Sequence, residues 1–296
     1  MRNGKFPILA AVCLMAAAAV AGPAVKHIVV LADESRGYCR YIDQFDPRNS
    51  FSIPVPRPVW DLQRCGESRF RSVGGNGFTV VDIETRRIVD QFKHPALGGV
   101  CSVSDLPDGG FIASVNAKNC IKVLRFAKDR NLIATTTFTG IYNARTMTRL
   151  ANGEILLSHD SGFVRGKLTD QDGEGEILQR FEIPKGRNPY HLIPDLAGKG
   201  YWGSTGYGVE LVHYGLDGSI GPRWSAQQPE KLHNHFYGQV VELPEGHLMV
   251  ANWTGHRPED SRNGWQVFER DAEGNIVWFL YDPVALGSIS GVCVLR

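Results

Sequence analysis

Residues 106–114 read LPDGGFIAS, and this stretch decides the fold because the chain repeats its pattern. Related copies are LANGEILLS at 150–158, LPEGHLMVA at 243–251 and the looser IPDLAG at 193–198. The glycines of these copies follow one another at intervals of 44, 45 and 48 residues, and Gly66 marks a degenerate copy 43 residues before the first. Self-similarity at such a period indicates a repeat architecture.

A second turn follows inside each repeat, at 129–130, 172–173, 217–218 and 273–274. Between the turns, segments alternate apolar and polar residues or are rich in Val, Ile, Thr and aromatics, as half-buried strands are. The predicted strands are 110–115, 120–126, 132–138, 154–158, 163–168, 177–183, 247–253, 266–270 and 276–281. Each unit therefore reads as four antiparallel strands in about 45 residues, which is the size of a propeller blade.

Five such blades are counted, and they start near Pro58, Gly99, Tyr142, Asn188 and His235. The N-terminal segments 27–33, 38–44 and 50–55 supply only three further strands, and the C-terminal segment 289–295 supplies the missing fourth. A single blade cannot bury both of its faces, so blades must stack and the ring must close. The sequence therefore predicts an all-β, six-bladed β-propeller, closed by pairing of the C-terminal strand with the N-terminal blade. A pair of β-sandwiches or a β-solenoid is the alternative.

The turn pattern, together with a strand that ends GNIVWF at 274–279, resembles secreted six-bladed propellers of the quinoprotein-like and NHL-like type. It is also distantly similar to the propellers of bacterial arylsulfotransferases. The resemblance covers nearly the whole mature chain, but its motifs are structural turns. It therefore implies a fold, and it implies sulfuryl transfer only weakly.

The composition is that of an ordinary globular protein, with 43% hydrophobic and 21% charged residues. The 32 basic and 31 acidic side chains leave a formal net charge of +1. Such a balance gives no overall attraction to nucleic acid or to an anionic membrane surface, so we expect no nucleic-acid partner.

The N-terminus has the pattern of a Sec-type signal peptide. Arg2 and Lys5 precede an apolar run at 6–20, and small residues at 19–21 suit signal peptidase. We predict a signal peptide at 1–21 and a propeller at 22–296, with cleavage after Ala24 as the alternative site. A retained anchor is the other interpretation, although the run is shorter than the roughly 20 residues that span a bilayer. The protein is thus expected to be secreted or periplasmic, with no stable membrane span after signal removal.

Five cysteines remain beyond the predicted signal peptide, at positions 39, 65, 101, 120 and 293. An exported protein is permitted disulfides, and an odd count leaves at least one free thiol. We place Cys101 and Cys120 on neighbouring strands, which makes them the first pair to test. Buried free thiols are an equally good interpretation.

Propeller topology predicts which loops share a face. The links between blades and the loops between second and third strands lie on one face, which we call the top. Six of the nine histidines fall there in this assignment, whereas the opposite turns carry Asp and Glu. A concave site at the channel mouth would then favour a small polar or anionic ligand, with a glycan fragment as one form of it.

The candidate site residues come from these top loops. The catalytic candidates are His191, His235 and Arg145, with histidine as base or nucleophile and arginine as the group that holds an anion. The ligand-binding candidates are Trp60, Tyr142, Asn188, Tyr190, His233, Tyr237, His159, Tyr207, Trp253, His256 and Arg257. His233 and His235, two apart on an extended strand, point the same way and form a candidate site for a divalent metal.

Two functions follow from this arrangement. The first is a non-catalytic exported propeller that binds a small polar or anionic ligand at the His- and Arg-rich channel mouth. The alternative is an enzyme at the same mouth, a lyase or hydrolase or a sulfuryl-transfer enzyme that acts on an anionic substrate. Docking of a protein partner on the top face remains a further alternative.

Overall fold

The computed structural model describes residues 25–225 and 235–296, which form six small sheets. The strands are β1 (Ile28–Asp33), β2 (Tyr38–Asp43), β3 (Phe51–Pro54), β4 (Asp61–Arg64), β5 (Arg69–Gly74), β6 (Gly77–Asp82), β7 (Arg87–Lys93), β8 (Val100–Asp105), β9 (Phe111–Ala117), β10 (Cys120–Phe126), β11 (Leu132–Thr139), β12 (Met147–Arg149), β13 (Ile155–His159), β14 (Gly162–Lys167), β15 (Gly173–Glu174), β16 (Glu176–Glu182), β17 (His191–Pro194), β18 (Gly200–Ser204), β19 (Glu210–Gly215), β20 (Ile220–Ser225), β21 (Phe236–Glu242), β22 (Leu248–Trp253), β23 (Val267–Arg270), β24 (Ile276–Leu280) and β25 (Ile289–Val294). Short 3-10 turns lie at Pro47–Asn49, Pro95–Leu97, Pro244–Gly246 and Pro258–Asn263.

The sheets are the blades of a six-bladed propeller, as predicted. Blades 1 to 5 are β4–β7, β8–β11, β12–β16 (without β15), β17–β20 and β21–β24, and blade 6 has the order β25-β1-β2-β3. The first strand of each blade contacts the first strand of the next, and β25 contacts β4, so the series closes into a ring. These six strands surround the axis, where any channel must run.

Ring closure depends on the pairing of the two ends of the described chain. β25 pairs antiparallel with β1, with Val294 opposite Val29 and Val292 opposite Leu31. The Ile28 amide also donates to the carbonyl of Arg296 at 2.9 Å. The predicted closure of the N-terminal blade by the C-terminal strand is therefore confirmed.

Each blade is buried on both faces because it packs between two neighbours. β1 shows how the sequence achieves this. Val29 and Leu31 belong to the apolar cluster shared with blade 5, while Val30 and Ala32 belong to the cluster shared with blade 1. Since side chains alternate across a strand, a continuous apolar run is what a doubly buried strand requires. Six such clusters, one between each pair of neighbouring blades, make up the core.

Buried polar groups hold the closing blade in place at both ends. Asp33, fully buried, accepts from Arg40 Nε at 2.6 Å and from the Gly287 amide at 3.0 Å. At the opposite end, Glu269 of blade 5 bonds His27 Nε2 and His247 Nδ1, each at 2.6 Å. Burial alone would lower the pKa of His27, but the Glu269 contact raises it above its usual value.

The repeated turn has a backbone reason for its glycine. Gly109, Gly153, Gly198 and Gly246 all adopt positive φ, between 68° and 88°. Side chains with a Cβ are strained in this region, so glycine is the residue that the turn favours. In the second turn of blade 2, Arg130 takes the same conformation with φ 71°.

The 172–173 turn differs from its prediction. Gly173 and Glu174 form the short strand β15, which runs parallel to β11 and adds a fifth strand to blade 2. Asp172 and Glu174 hold it there by accepting from the amides of Thr135 and Thr139. This link between two strands of blade 3 therefore covers the outer edge of blade 2, which protects that edge from pairing with another chain.

The cysteines of the described residues are free thiols: Cys39, Cys65, Cys101, Cys120 and Cys293. The placement of Cys101 and Cys120 on neighbouring strands is wrong, because β9 lies between β8 and β10. Burial raises the pKa of the Cys101 thiol to about 12, and Asn116 Nδ2 donates to its sulfur at 3.1 Å. Such a thiol packs as a small apolar side chain.

The predicted signal peptide, residues 1–21, lies outside the described residues. Within the two described stretches, the structure contains no apolar helix of the length needed to traverse a bilayer.

A buried carboxylate joins three blades across the axis. Asp61 of blade 1 is fully buried and accepts hydrogen bonds from Ser102 Oγ of blade 2 at 2.5 Å and from Gln239 Nε2 of blade 5 at 2.6 Å. Gln63 Nε2 also donates to it at 2.6 Å. Burial raises the pKa of Asp61 to about 6, against the lowering effect of the Ser102 and Gln63 donors. We call Asp61, Gln63, Ser102 and Gln239 the axial plug.

Replacing Leu31 by Ala tests the closing seam. Leu31 is fully buried between β25 and β2, and loss of a buried leucine side chain should lower the free energy of unfolding by about 2–5 kcal/mol. Leu196→Ala is the matched control, because that leucine is 68% exposed and its loss should cost within about 0.5 kcal/mol. Chemical denaturation of both variants measures the free energy of unfolding. An equal loss in the two variants would contradict the burial of Leu31 in the closing blade.

Replacing Asp61 by Asn tests the protonation of the axial plug. The native pKa of about 6 lies above the value of 3.8 for an unperturbed carboxyl, so the folded protein holds a proton that the unfolded chain has released between these pH values. The contribution of Asp61 to stability is therefore complete below pH 3.8 and falls as the pH rises to about 6. We expect the wild type to lose stability relative to Asp61→Asn across this window.

Denaturant titrations of both proteins at several pH values measure that difference. Asp129→Asn, at an exposed turn, is the control and should leave the pH profile of the wild type unchanged. A constant difference in stability between the wild type and Asp61→Asn at all pH values would disprove the raised pKa.

Candidate functional site

A cavity of about 100 Å³ lies on the axis at the top face, and we call it the upper cavity. Its walls come from blades 1, 3, 4, 5 and 6, through links between blades, loops between second and third strands, and the first residues of inner strands. The lining residues are Glu34, Trp60, Arg145, Tyr190, Tyr207, Phe236, Trp253, His256 and Ser290.

Aromatic rings form most of its wall. The Phe236 ring centroid lies 5.5 Å from that of Tyr190, 4.8 Å from that of Tyr207 and 5.7 Å from that of Trp253, all with near-perpendicular rings. Edge-to-face contacts of this kind stabilise aromatic clusters. The Tyr190 hydroxyl donates to the Trp60 carbonyl, which ties blade 4 to blade 1 across the mouth. The cavity therefore has a rigid, largely apolar wall.

Arg145 supplies a cation to this wall. It precedes β12, and its guanidinium carbon lies 5.7 Å above the Trp60 ring. Its Nε atom is buried and has no hydrogen-bond partner. Within residues 25–225 and 235–296, no carboxylate lies within ion-pair distance of the guanidinium. Guanidinium groups with donors to spare bind carboxylate, phosphate and sulfate.

Glu34 supplies an anion to the same cavity. Its side chain is 6% exposed, and Trp253 Nε1 donates to Glu34 Oε2 at 3.1 Å. His256 Nδ1 lies 3.5 Å from the other carboxylate oxygen, although the His256 side chain itself is 67% exposed. Glu34 is held in place by the loop between β1 and β2, which is anchored through Asp33. The cavity thus presents one buried carboxylate and one guanidinium.

A second cavity, of about 480 Å³, lies below the axial plug, and we call it the lower cavity. Its polar lining includes Arg64, Asp105, Arg149, His191 and Glu242. Gln63 and Gln239 of the axial plug also line it, whereas the plug contributes no residue to the upper cavity.

His191 belongs to the lower cavity. Its Nδ1 lies 3.1 Å from the Val240 carbonyl, and its Nε2 lies 3.4 Å from Thr148 Oγ1. Burial lowers the pKa of His191 to about 4, so the imidazole is neutral at physiological pH. Arg145 and His191 therefore line different cavities, and the structure does not bring them together.

The upper cavity brings together some of the predicted site residues. Five of the eleven ligand-binding candidates line it, together with the catalytic candidate Arg145: Trp60, Tyr190, Tyr207, Trp253 and His256. His235 lies at the rim, with its ring 6.2 Å from Tyr207 and 5.6 Å from Trp253. Candidates from four separate blades thus meet at one cavity.

Other candidates lie apart from the upper cavity. Tyr142 is 50% exposed, and Asn188 accepts from Asn143 Nδ2 at 3.0 Å. Tyr237 is fully buried against Phe268 between blades 4 and 5.

His159 and Arg257 are also accounted for by local structure. His159 Nδ1 accepts from the Ser161 amide at 3.4 Å, and burial lowers the pKa of His159 to about 4. Arg257 precedes the 3-10 turn Pro258–Asn263, and its amide donates to Asp260 Oδ2. Neither side chain lines the upper cavity.

Of the two histidines predicted to bind a metal, the structure describes one, His235. His233 lies outside the described residues, whereas His235 follows directly after the gap. Among the residues that the structure does describe, no group of three or more His, Cys, Asp or Glu side chains is arranged to hold a metal ion. The metal site at His233 and His235 therefore stays a prediction.

Sequence reasoning missed Glu34, Phe236 and Ser290 among the lining residues. The position of Glu34 on the top face could have been predicted from the strand order. Blade 6 begins with β25, so the loop after β1 joins the second and third strands of that blade. The assignment of loops between second and third strands to the top face covers the five continuous blades and leaves out this loop of the closing blade. Phe236 is the first residue of β21 and Ser290 the second residue of β25, and the inward direction of both side chains depends on the packed ring.

Comparison with known proteins gives similarity of fold. Neither the protein-family models nor the curated proteins include a match to the chain. A solved protein of unknown function from Bacteroides caccae is 20% identical, with a TM-score of 0.73, over 92% of this chain and 100% of that one. A streptogramin B lyase is 11% identical, with a TM-score of 0.58, over 88% and 86%. A Lactobacillus plantarum protein is 13% identical, with a TM-score of 0.61, over 92% and 100%. At these identities the likeness shows the propeller fold alone.

Proposed function

We propose that this propeller binds a small polar or anionic ligand in the upper cavity. The observation that carries the proposal is Arg145, which lines the cavity with its guanidinium over Trp60 and, among the described residues, has no carboxylate within ion-pair distance. A guanidinium without an anionic partner is suited to a ligand carboxylate, phosphate or sulfate.

The walls fit the same proposal. Trp60, Tyr190, Tyr207, Phe236 and Trp253 offer apolar faces and edges, and Glu34 and Ser290 offer hydrogen-bond acceptors and donors. An apolar pocket with a few convergent polar groups is the usual form of a small-molecule site. At about 100 Å³, the cavity suits a small molecule or the end of a larger one, such as a terminal acidic sugar.

The enzymatic alternative finds less support in the geometry. A shared acid-base and anion-holding role for His191 and Arg145 requires both groups at one reacting centre. They line cavities on opposite sides of the axial plug. The streptogramin B lyase among similar structures shows that a propeller of this kind supports an enzyme, but it transfers no residue roles at that identity. We therefore favour binding.

Replacing Arg145 by Ala tests the proposal. A panel of small anions and acidic sugars is first screened against the wild type by the shift of its melting temperature. The dissociation constant of any ligand found is then measured by quenching of tryptophan fluorescence, since Trp60 and Trp253 line the cavity. Loss of a hydrogen bond to a charged group should raise that constant about 10- to 100-fold.

Arg296→Ala is the matched control. Arg296 also places its guanidinium over an aromatic ring, 4.4 Å from Phe45, and it lies at the end of the chain beyond β25. Its removal should leave the dissociation constant unchanged. If both variants bound the ligand equally well, Arg145 would not be the anchor and the proposal would fail.

Export is proposed from the N-terminal sequence. We expect signal peptidase to cleave after Ala21 when the full chain is expressed with its own N-terminus, because residues 19–21 offer the small side chains that this enzyme accepts. N-terminal sequencing of the product should then begin at Gly22, or at Val25 if the alternative site is used. A product that begins at Met1 and stays with the membrane fraction would refute export.

A further inference from the structure

Two opposite charges face the upper cavity without pairing to each other. Glu34 and Arg145 both line it, yet no ion pair joins them within 4.0 Å. Burial and then Asp61 raise the pKa of the Tyr190 hydroxyl, and among the smaller influences Arg145 lowers it and Glu34 raises it. Glu34 does have other partners, because Trp253 donates to it and His256 Nδ1 lies 3.5 Å from its second oxygen. A cavity whose buried carboxylate and guanidinium do not pair with each other is complementary to a ligand that carries both signs.

The Glu34 end of the cavity is suited to a cation. The carboxylate is nearly buried, accepts a hydrogen bond from Trp253 Nε1 and lies 3.5 Å from Nδ1 of the exposed His256 side chain. The same indole, with Phe236 and Tyr207 beside it, presents the aromatic surface of the cavity. Groups of aromatic rings recognise alkylated ammonium groups, and a neighbouring carboxylate adds attraction between opposite charges.

The Arg145 end is suited to a carboxylate or another small oxyanion. Its stacking on Trp60 fixes the guanidinium plane and leaves donor hydrogens for a ligand. A ligand with an anion alone would place its charge in the same small cavity as Glu34, and like charges repel in a site of low dielectric. A ligand with a cation alone would be repelled by the guanidinium of Arg145 for the same reason.

We propose that the upper cavity selects a small zwitterion, with its anionic end at Arg145 and an alkylated ammonium at Glu34 within the aromatic wall. This inference rests on the proposed binding function and narrows its ligand class. It differs from simple anion binding because the carboxylate of Glu34 becomes a part of the site instead of an obstacle to it.

The test uses the full mature chain and matched pairs of small molecules. Each pair consists of a trimethylammonium carboxylate, such as glycine betaine, and its tert-butyl counterpart, in which carbon replaces the charged nitrogen. Pairs that differ in the number of methylenes between the two ends cover different charge separations. Choline supplies the cation without the anion. We expect at least one zwitterion to bind about tenfold more tightly than its neutral-headed counterpart and than choline.

Glu34→Gln assigns the preference to the carboxylate, because it removes the charge and keeps an oxygen that can accept from Trp253. This variant should lose the preference for the zwitterion and bind the tert-butyl counterpart at least as tightly as the wild type does. Glu182→Gln, on the exposed outer strand of blade 3, is the matched control and should keep the preference. If Glu34→Gln fails to fold, as judged by its melting temperature, the inference is tested by comparing each zwitterion with its tert-butyl counterpart on the wild type.

The outcomes separate this inference from the function on which it rests. Equal binding of every zwitterion and its tert-butyl counterpart, with both sensitive to Arg145→Ala, would overturn the zwitterion and leave anion binding intact. Absence of binding by all carboxylates and all anions of the screen would overturn both. A preference for the zwitterion that survives Glu34→Gln would show that Glu34 is not its cause and would also refute the inference.

Discussion

The pairing of β25 with β1 is the constraint on which the rest of the structure depends. Every blade is a small sheet with two apolar faces, so no blade is stable until neighbours cover it on both sides. The ring meets this requirement only when blade 6 is completed by residues from both ends of the chain. Val29 and Val30, adjacent in sequence, then serve two different inter-blade cores. Loss of this pairing would expose the sides of blades 1 and 5 together with the edge of β1.

Closure of the ring also determines which side chains meet on the propeller axis. Six inner strands converge there, and Asp61, Ser102 and Gln239 on these strands are buried. The axial plug is the result. Asp61 accepts hydrogen bonds from donors on three blades, and burial raises its pKa to about 6 against the lowering effect of the Ser102 and Gln63 donors. The plug residues occupy the part of the axis between the upper and lower cavities. The two cavities therefore present separate chemistry, with Arg145 above and a neutral His191 below.

Sequence periodicity predicted what depends on local rules and missed what depends on packing between blades. The turn glycines, the strand Cys120–Phe126 and the closing strand all follow from alternation and backbone conformation, which act within a few residues. The convergence of Trp60, Arg145 and Tyr207 followed from topology, because a propeller fixes which loops share a face. The order of β8, β9 and β10 contradicts the assumed neighbourhood of Cys101 and Cys120. β15 pairs with a strand of the preceding blade, and no local pattern reports such a contact.

The charged groups of the upper cavity differ from the other buried charges in how they are partnered. Asp33, Asp61 and Glu269 are buried and fully engaged, and each joins elements that must stay together. Glu34 and Arg145 differ, because they do not pair with each other although they face one cavity. An apolar pair of similar volume would close the ring without the cost of desolvating two charges. The proposed explanation is that these charges serve a ligand instead of the fold. A ligand with one anionic and one cationic end is the one that we propose on this ground.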